Sequence, residues 1–311
     1  MKRKIKKIIN YTIQRYHSLN TQTKKKSSIS DQNLFFLTGY DKSGTTWIKN
    51  CLNDVENISC LGSNQYFDFH LNSPESKLLH SIKENRIADS PYRISTEFYK
   101  NSFIQEFLQK TYLLSKKNAI YFGEKSTAQD INLIHYYFPQ AKIVVLIRDL
   151  RDIIVSFAFH FDRVYKTKTK NWSPTKSKFY NDGTIKDSFI EREANTIKKY
   201  YGHLIALQNE KVIFIKYEDL ISENGFYHFK EILSFIKSKS IIDIESHALK
   251  VWEKNSFKNL SKGRNPGEIN NLSFYRSGTA GDYKNHFTSH QIQQLNNILG
   301  EELTYFGYQI N

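Results

Sequence analysis

Cysteine is scarce: the chain has two, Cys51 and Cys60, in 311 residues. They are too few to staple a secreted scaffold of this size and lack the spacing of a metal cluster, so a reducing compartment and no metal are expected. Long apolar runs are missing as well. The opening segment, MKRKIKKIINYTIQRYHSL, is positive but has no uninterrupted apolar stretch, and no later segment reaches spanning length. A secretory signal and a membrane anchor are therefore not expected. Acidic residues fall short too, with 31 Asp and Glu against 45 Lys and Arg, a formal charge of +14. That excess attracts an anion without choosing among nucleic acid, lipid headgroup, nucleotide or acidic glycan.

Residues 1–33 separate from the rest by composition. Ile5, Ile8, Ile9, Ile13 and Tyr16 recur among lysines at roughly helical spacing. This fits a basic amphipathic helix resting on an anionic membrane, but the apolar face is narrow, which favours a solvated helix packed on the domain or a frayed end. Residues 21–33, TQTKKKSSISDQN, read as a linker. Residues 34–311 then form one domain, in which apolar runs alternate with helical patterns. Leu34 to Thr38, Ile143 to Ile147 and Val212 to Lys216 read as buried strands. Trp47 to Val55, Phe226 to Ile236 and Ile292 to Leu299 read as helices. With no internal repeat, the expected fold is α/β: a single doubly wound domain with a central parallel sheet and helices on both faces.

The first strand runs into GYDKSGTTW, residues 39–47. A glycine-bounded loop between a buried strand and a helix aims several backbone N–H groups at one spot, where the helix N-terminus adds positive potential. A phosphate belongs there. Nucleoside-triphosphate loops place lysine directly after the last glycine. Here Thr45 stands in that position and Lys42 lies two residues before Gly44, so the loop is phosphate-binding in kind but not an ATPase loop.

The stretch DKSGTTW, residues 41–47, resembles the 5'-phosphosulfate loop of sulfotransferases that use 3'-phosphoadenosine 5'-phosphosulfate (PAPS). Two further stretches carry the same resemblance. VVLIRDLRDIIVSF, residues 144–157, matches the segment whose arginine and serine bind the 3'-phosphate, here Arg148 and Ser156. YRSGTAGDYKNHFT, residues 275–288, is similar to the C-terminal loop that wraps the same phosphate, here with Arg276, Ser277 and the backbone of Gly278. A fixed guanidinium fork beside a hydroxyl at the carboxyl edge of a parallel sheet suits that ligand. Trp47 and Phe257 match the aromatic partners of adenine. The resemblance runs from about residue 34 to the C-terminus and implies a PAPS site built from Lys42, Ser43, Gly44, Thr45, Thr46, Trp47, Arg148, Ser156, Phe257, Arg276, Ser277 and Gly278, with adenosine 3',5'-bisphosphate as product. The composition looks like that of a bacterial, cytosolic-type member.

Sulfuryl transfer is an in-line displacement in which the protein positions reactants and neutralises the leaving oxygen. Lys42 is the candidate for that role. Lys125, in GEKSTA, matches a second lysine of the family. The general base is where the pattern departs. Cytosolic relatives carry a histidine two residues after the second lysine, and this chain has Thr127. Carbohydrate- and tyrosine-modifying relatives use a glutamate after the first helix, where this chain reads CLGSNQYFDFHL, residues 60–71. Three candidates stay open: His70, Asp68 and Glu124. His160 and His286 read as core or surface residues.

Two other departures bear on affinity and assembly. Asp41 replaces a proline of the loop, and Ser277 replaces a lysine beside Arg276, each weakening the pull on the nucleotide. The family's dimer segment has no match at Thr288, Ser289 and Gln293, which leaves the oligomeric state undetermined. The acceptor is expected to be a hydroxyl on a glycan or lipid-linked sugar, met in the cytoplasm or at the inner membrane surface, with Trp172 to Asp187 forming either a lid or a solvated insertion. Two alternatives remain: a nucleotide kinase or NTPase, and a non-catalytic nucleotide or polyanion binder that lacks a base. No nucleic acid is expected, because binding through net charge alone would ignore Lys42 and Arg148.

Overall fold

Five short apolar runs set the architecture. In the computed structural model, which describes residues 30–62, 118–126, 134–135, 138–168, 179–181, 184–205, 209–239, 241 and 247–310, they pair in parallel. The strands are β1 (Leu34–Thr38), β2 (Ile58–Leu61), β3 (Tyr121–Lys125), β4 (Lys142–Ile147) and, after a small ladder of β5 (Tyr180–Asn181) and β6 (Thr184–Ile185), β7 (Val212–Lys216). Their order across the sheet is β2-β3-β1-β4-β7, with Phe35 opposite Lys142 and Ile143 opposite Val212. Chain order reverses between β1 and β4, so the loops leaving these two strands diverge and open a crevice at their carboxyl ends.

Side-chain alternation along the strands builds two cores. Leu34 and Phe36 of β1, with Ile143, Val145 and Ile147 of β4, face one layer of helices. That layer is α2 (Leu150–Lys168), α3 (Asp187–Ile205) and the C-terminal α8 (Ser289–Tyr305). Phe35, Leu37, Val144 and Leu146 face the other side. Against them lie α1 (Thr45–Asp54), α5 (Gly225–Lys237) and α6 (His247–Lys254), while the short α4 (Tyr217–Leu220) follows β7 and α7 (Phe257–Leu260) precedes the C-terminal loop. The α/β doubly wound fold with helices on both faces is thus present. Both cysteines are free and buried in the second core, where burial raises their thiols far above the usual range.

Several local expectations change. The helix after the first loop starts at Thr45 rather than Trp47, because Gly44, at φ 98°, ends the turn and supplies the carbonyl that receives Ile48 N–H. The helix read from Ile292 extends back to Ser289, since Thr288 caps it: Thr288 Oγ1 accepts Gln291 N–H while Gln291 Oε1 accepts Thr288 N–H. β2, β3 and α3 were not read from sequence. β3 carries Gly123, Glu124 and Lys125 in place of an apolar run and is a strand because β1 and β2 pair with it on both edges. Lys142 opens the buried β4 because its ammonium donates to Ile236 O and Ser238 Oγ, capping α5. At the described end of the 172–187 insertion Phe179 and Ile185 are buried in the first core, while Thr184 and Asp187 are exposed. The candidates Asp68 and His70, Thr127, and the N-terminal helix and linker to residue 29 lie outside the described residues. Among the described residues no helix is long and apolar enough to cross a membrane.

Candidate functional site

The loop from Gly39 to Gly44 turns directly off β1. Gly39 has φ 151°, and a Cβ there would stand 2.5 Å from Leu146 O and 2.6 Å from Ser43 Oγ, so only glycine lets the loop cross the end of β4. Lys42 is held at φ 74°, a left-handed conformation costly for a lysine. No side chain caps α1, and its N-terminus opens toward the crevice as an anion site.

The exit of β4 faces this loop. Arg148 Nη1 donates to Lys42 O at 3.1 Å, and its guanidinium stacks 4.6 Å from the centre of the Tyr217 ring. Nη2 reaches Thr279 O at 3.4 Å on the C-terminal loop. Asp152 sits 3.7 Å from Arg148 and accepts Gly281 N–H and Tyr283 N–H, each at 2.8 Å. Arg276 stacks 4.4 Å from the centre of the Phe159 ring and pairs with Asp282. Burial would raise the Asp282 carboxyl, but the nearby His286 ring and hydrogen bonds from Arg276 and Asn285 hold it well below the usual range.

These three segments enclose a cavity of about 530 Å³. Lys42, Gly44, Thr45, Thr46, Trp47, Lys125, Arg148, Ser156, Phe257, Arg276, Ser277 and Gly278 line it, so residues far apart in sequence meet in one space. Ser43 is buried behind the loop rather than in the wall. Glu124 is fully buried within β3 and is not among the lining residues. Lys125, the next residue, points into the cavity, as alternation along a strand requires.

One end of the cavity is aromatic. Trp47 Nε1 donates to Asn255 O at 2.8 Å, which fixes its ring 5.0 Å from that of Trp252. Phe257 lies over Gly278, where a Cβ would come within 2.4 Å of its ring. Also in the wall, Lys42 Nζ stands 4.9 Å from the centre of the Phe274 ring. Burial, and then the charges of Arg163, Arg148 and Lys125 against that of Asp41, push Lys42 down to about 8. His160, read from sequence as a core or surface residue, also lines the cavity. Its spacing four residues after Ser156 on an α-helix was the available signal.

Three buried polar atoms here have no hydrogen-bond partner: Ser43 Oγ, Arg148 Nε and Arg276 Nη1. Two belong to guanidiniums, which only donate. Buried donors left open among cations call for an oxyanion. Among the described residues no cluster suited to a metal ion occurs.

Residues 32–307 match the family model for the sulfotransferase domain. The chain is 26% identical over 294 residues to flavonol 4'-sulfotransferase of Flaveria chlorifolia, covering 88% of this chain and 79% of that one. It is 25% identical over 289 residues to the amine sulfotransferase of Oryctolagus cuniculus, covering 89% and 83%. Among solved structures, mouse sulfotransferase SULT7A1 complexed with PAP is similar in fold, with a TM-score of 0.54 at 17% identity over 93% of this chain and 88% of that one.

Proposed function

The chain belongs to the sulfotransferase family, and from that premise we propose how its own residues move a sulfuryl group from PAPS to a hydroxyl acceptor. The observation that carries the assignment of sites is that Arg148 and Arg276, each with a buried donor left open, line the same cavity as Lys42.

Arg148, Ser156, Arg276, Ser277 and the backbone of Gly278 take the 3'-phosphate. Gly44, Thr45 and Thr46 present the α1 N-terminus to the 5'-phosphate. Trp47 and Phe257 hold adenine between them. Lys42 and Lys125 face the sulfonate end, where Lys42 neutralises the oxygen that departs from sulfur. PAPS supplies the activated sulfuryl group; the protein orders the reactants in line and keeps water out.

Glu124 is set aside as base, since it is sealed inside β3. The acceptor is taken to be a hydroxyl on a glycan or lipid-linked sugar, reached in the cytoplasm or at the inner membrane surface through the basic segment before residue 34. That segment and the domain from 34 to 311 form separate units.

Isothermal titration with adenosine 3',5'-bisphosphate tests the reading, on the unmodified chain and on Arg148→Ala, with ATP as control. Tight binding that the substitution abolishes and ATP does not mimic is expected. Preference for ATP would favour a kinase or NTPase, and no binding would leave a polyanion binder.

A further inference from the structure

Transfer to a neutral hydroxyl releases a proton, and the group that takes it must reach the acceptor oxygen. Among the described residues lining the cavity, Asp41 and His160 have a lone pair suited to it near neutral pH. Asp41 is exposed. His160 is partly buried on α2, one turn beyond Ser156 and on the same face.

The surroundings of the His160 ring define its chemistry. Arg163 Nη2 lies 3.0 Å from His160 Nδ1. A guanidinium donates and never accepts, so Nδ1 keeps its lone pair and the neutral ring carries its proton on Nε2. Arg163 and Lys42 both approach the Phe274 ring, at 5.6 and 4.9 Å from its centre. Ammonium and guanidinium thus meet at the Phe274 ring, and the guanidinium is bonded to the imidazole. The charged groups acting on the ring are Lys42 and Asp41 from the β1–α1 loop and Arg163 from its own helix.

We propose that His160 is the general base: Nδ1 takes the acceptor's hydroxyl proton as Arg163 gives up that nitrogen. The proposal rests on the sulfotransferase reading. The acceptor oxygen bonds to sulfur, and the bond from sulfur to the 5'-phosphate oxygen breaks. Its electron pair leaves on adenosine 3',5'-bisphosphate, and the hydroxyl proton becomes the Nδ1 proton of an imidazolium.

The donor nucleotide also controls the strength of this base. Without it, burial and then Lys42 and Arg163 outweigh Asp41 and push His160 down to about 4, leaving it neutral but weakly basic at neutral pH. Negative charge laid against Lys42 cancels part of that pressure and raises the ring's proton affinity. His160 becomes an effective base when PAPS is in place, which ties proton removal to the presence of something to transfer.

Two measurements on the full chain test this. The first is an NMR titration of ¹³C-labelled histidines with and without saturating adenosine 3',5'-bisphosphate, with His160→Gln to assign the signal. The free ring should show the Nε2–H tautomer, and nucleotide should raise its proton affinity about tenfold or more. An unmoved titration, or a proton on Nδ1 in the free chain, overturns the proposal.

The second compares single-turnover transfer from PAPS to 4-nitrophenol and to phenol at about pH 8. His160→Gln should lose on the order of a hundredfold with phenol, but only a few-fold with 4-nitrophenol, which is already largely ionised. Nucleotide affinity should stay within about twofold, showing an intact donor site. Equal losses with both phenols, or none, overturn the assignment. So does a loss confined to phenol that appears in His70→Gln or Asp68→Asn instead. The titration needs no acceptor and decides the matter for a chain that turns over neither phenol. Failure to bind the nucleotide at all would sink the sulfotransferase site, a separate result.

Discussion

Arg148 and Asp152 stand 3.7 Å apart at the start of α2, and the buried Asp152 carboxylate also accepts the backbone N–H groups of Gly281 and Tyr283. One side chain therefore fixes the cation at the end of β4 and the loop that carries Arg276. Burial raises the Asp152 carboxyl, against the pull of Arg148 and the two N–H groups. The two halves of the proposed 3'-phosphate site are joined through it.

Removing that carboxylate strands a buried guanidinium and two donors. Asp152→Ala is expected to lower stability by about 3–5 kcal/mol and to weaken adenosine 3',5'-bisphosphate at least tenfold. Urea denaturation and titration calorimetry measure both. Unchanged nucleotide affinity would show that Arg148 and the loop keep their places without Asp152.

Gly278 separates stability from binding. Its φ of +67° and the Phe257 ring 2.4 Å from a Cβ mean that alanine must displace the ring. Gly278→Ala should cost about 1–2 kcal/mol of stability and reduce nucleotide affinity about tenfold, through the adenine clamp. An affinity loss for adenosine 3',5'-bisphosphate no larger than that for inorganic phosphate would remove Phe257 from the nucleotide site.

Lys42 gives binding a pH dependence. Its value of about 8 means that the free ammonium is charged below that pH and loses its proton as pH rises through it. An anion favours the charged form, so nucleotide affinity should fall above about pH 8 and binding there should take up protons. Calorimetry in buffers of different ionisation enthalpy reads the uptake. Lys42→Met should flatten the profile, and a profile identical to the unmodified chain's would assign the titration elsewhere.

Thr288 offers a control outside the cavity. As the cap of α8 it accepts Gln291 N–H, so Thr288→Ala should cost about 1 kcal/mol while leaving nucleotide affinity unchanged. A change in sedimentation would instead show that this segment mediates self-association.

Much of the cavity was legible because its chemistry is local. Gly39 and Gly44 bracket a turn by their spacing, Leu34 to Leu37 and Ile143 to Ile147 are apolar without a break, and Arg148 follows a strand end directly. Each signal needs only a few neighbouring residues. Lys125 was assigned by resemblance, whereas the strand that aims it into the cavity exists through pairing with β1 and β2. Nothing in GEKSTA announces that pairing.

His160 shows the limit most clearly. From sequence it read as a core or surface residue, and its difference from any helical histidine comes from Lys42 and Arg163 beside it in space. The sequence by itself determined the parallel α/β fold, the glycine-bounded loop and the candidate cations around it, since backbone turns and strand periodicity are properties of short segments. Tertiary structure alone decided that Glu124 is sealed in the sheet, that Asp152 joins β4 to the C-terminal loop, and that His160 faces the cavity. Burial, hydrogen bonding and charge coupling depend on distance in space, and in this fold the residues that set them come mostly from segments far apart in the chain.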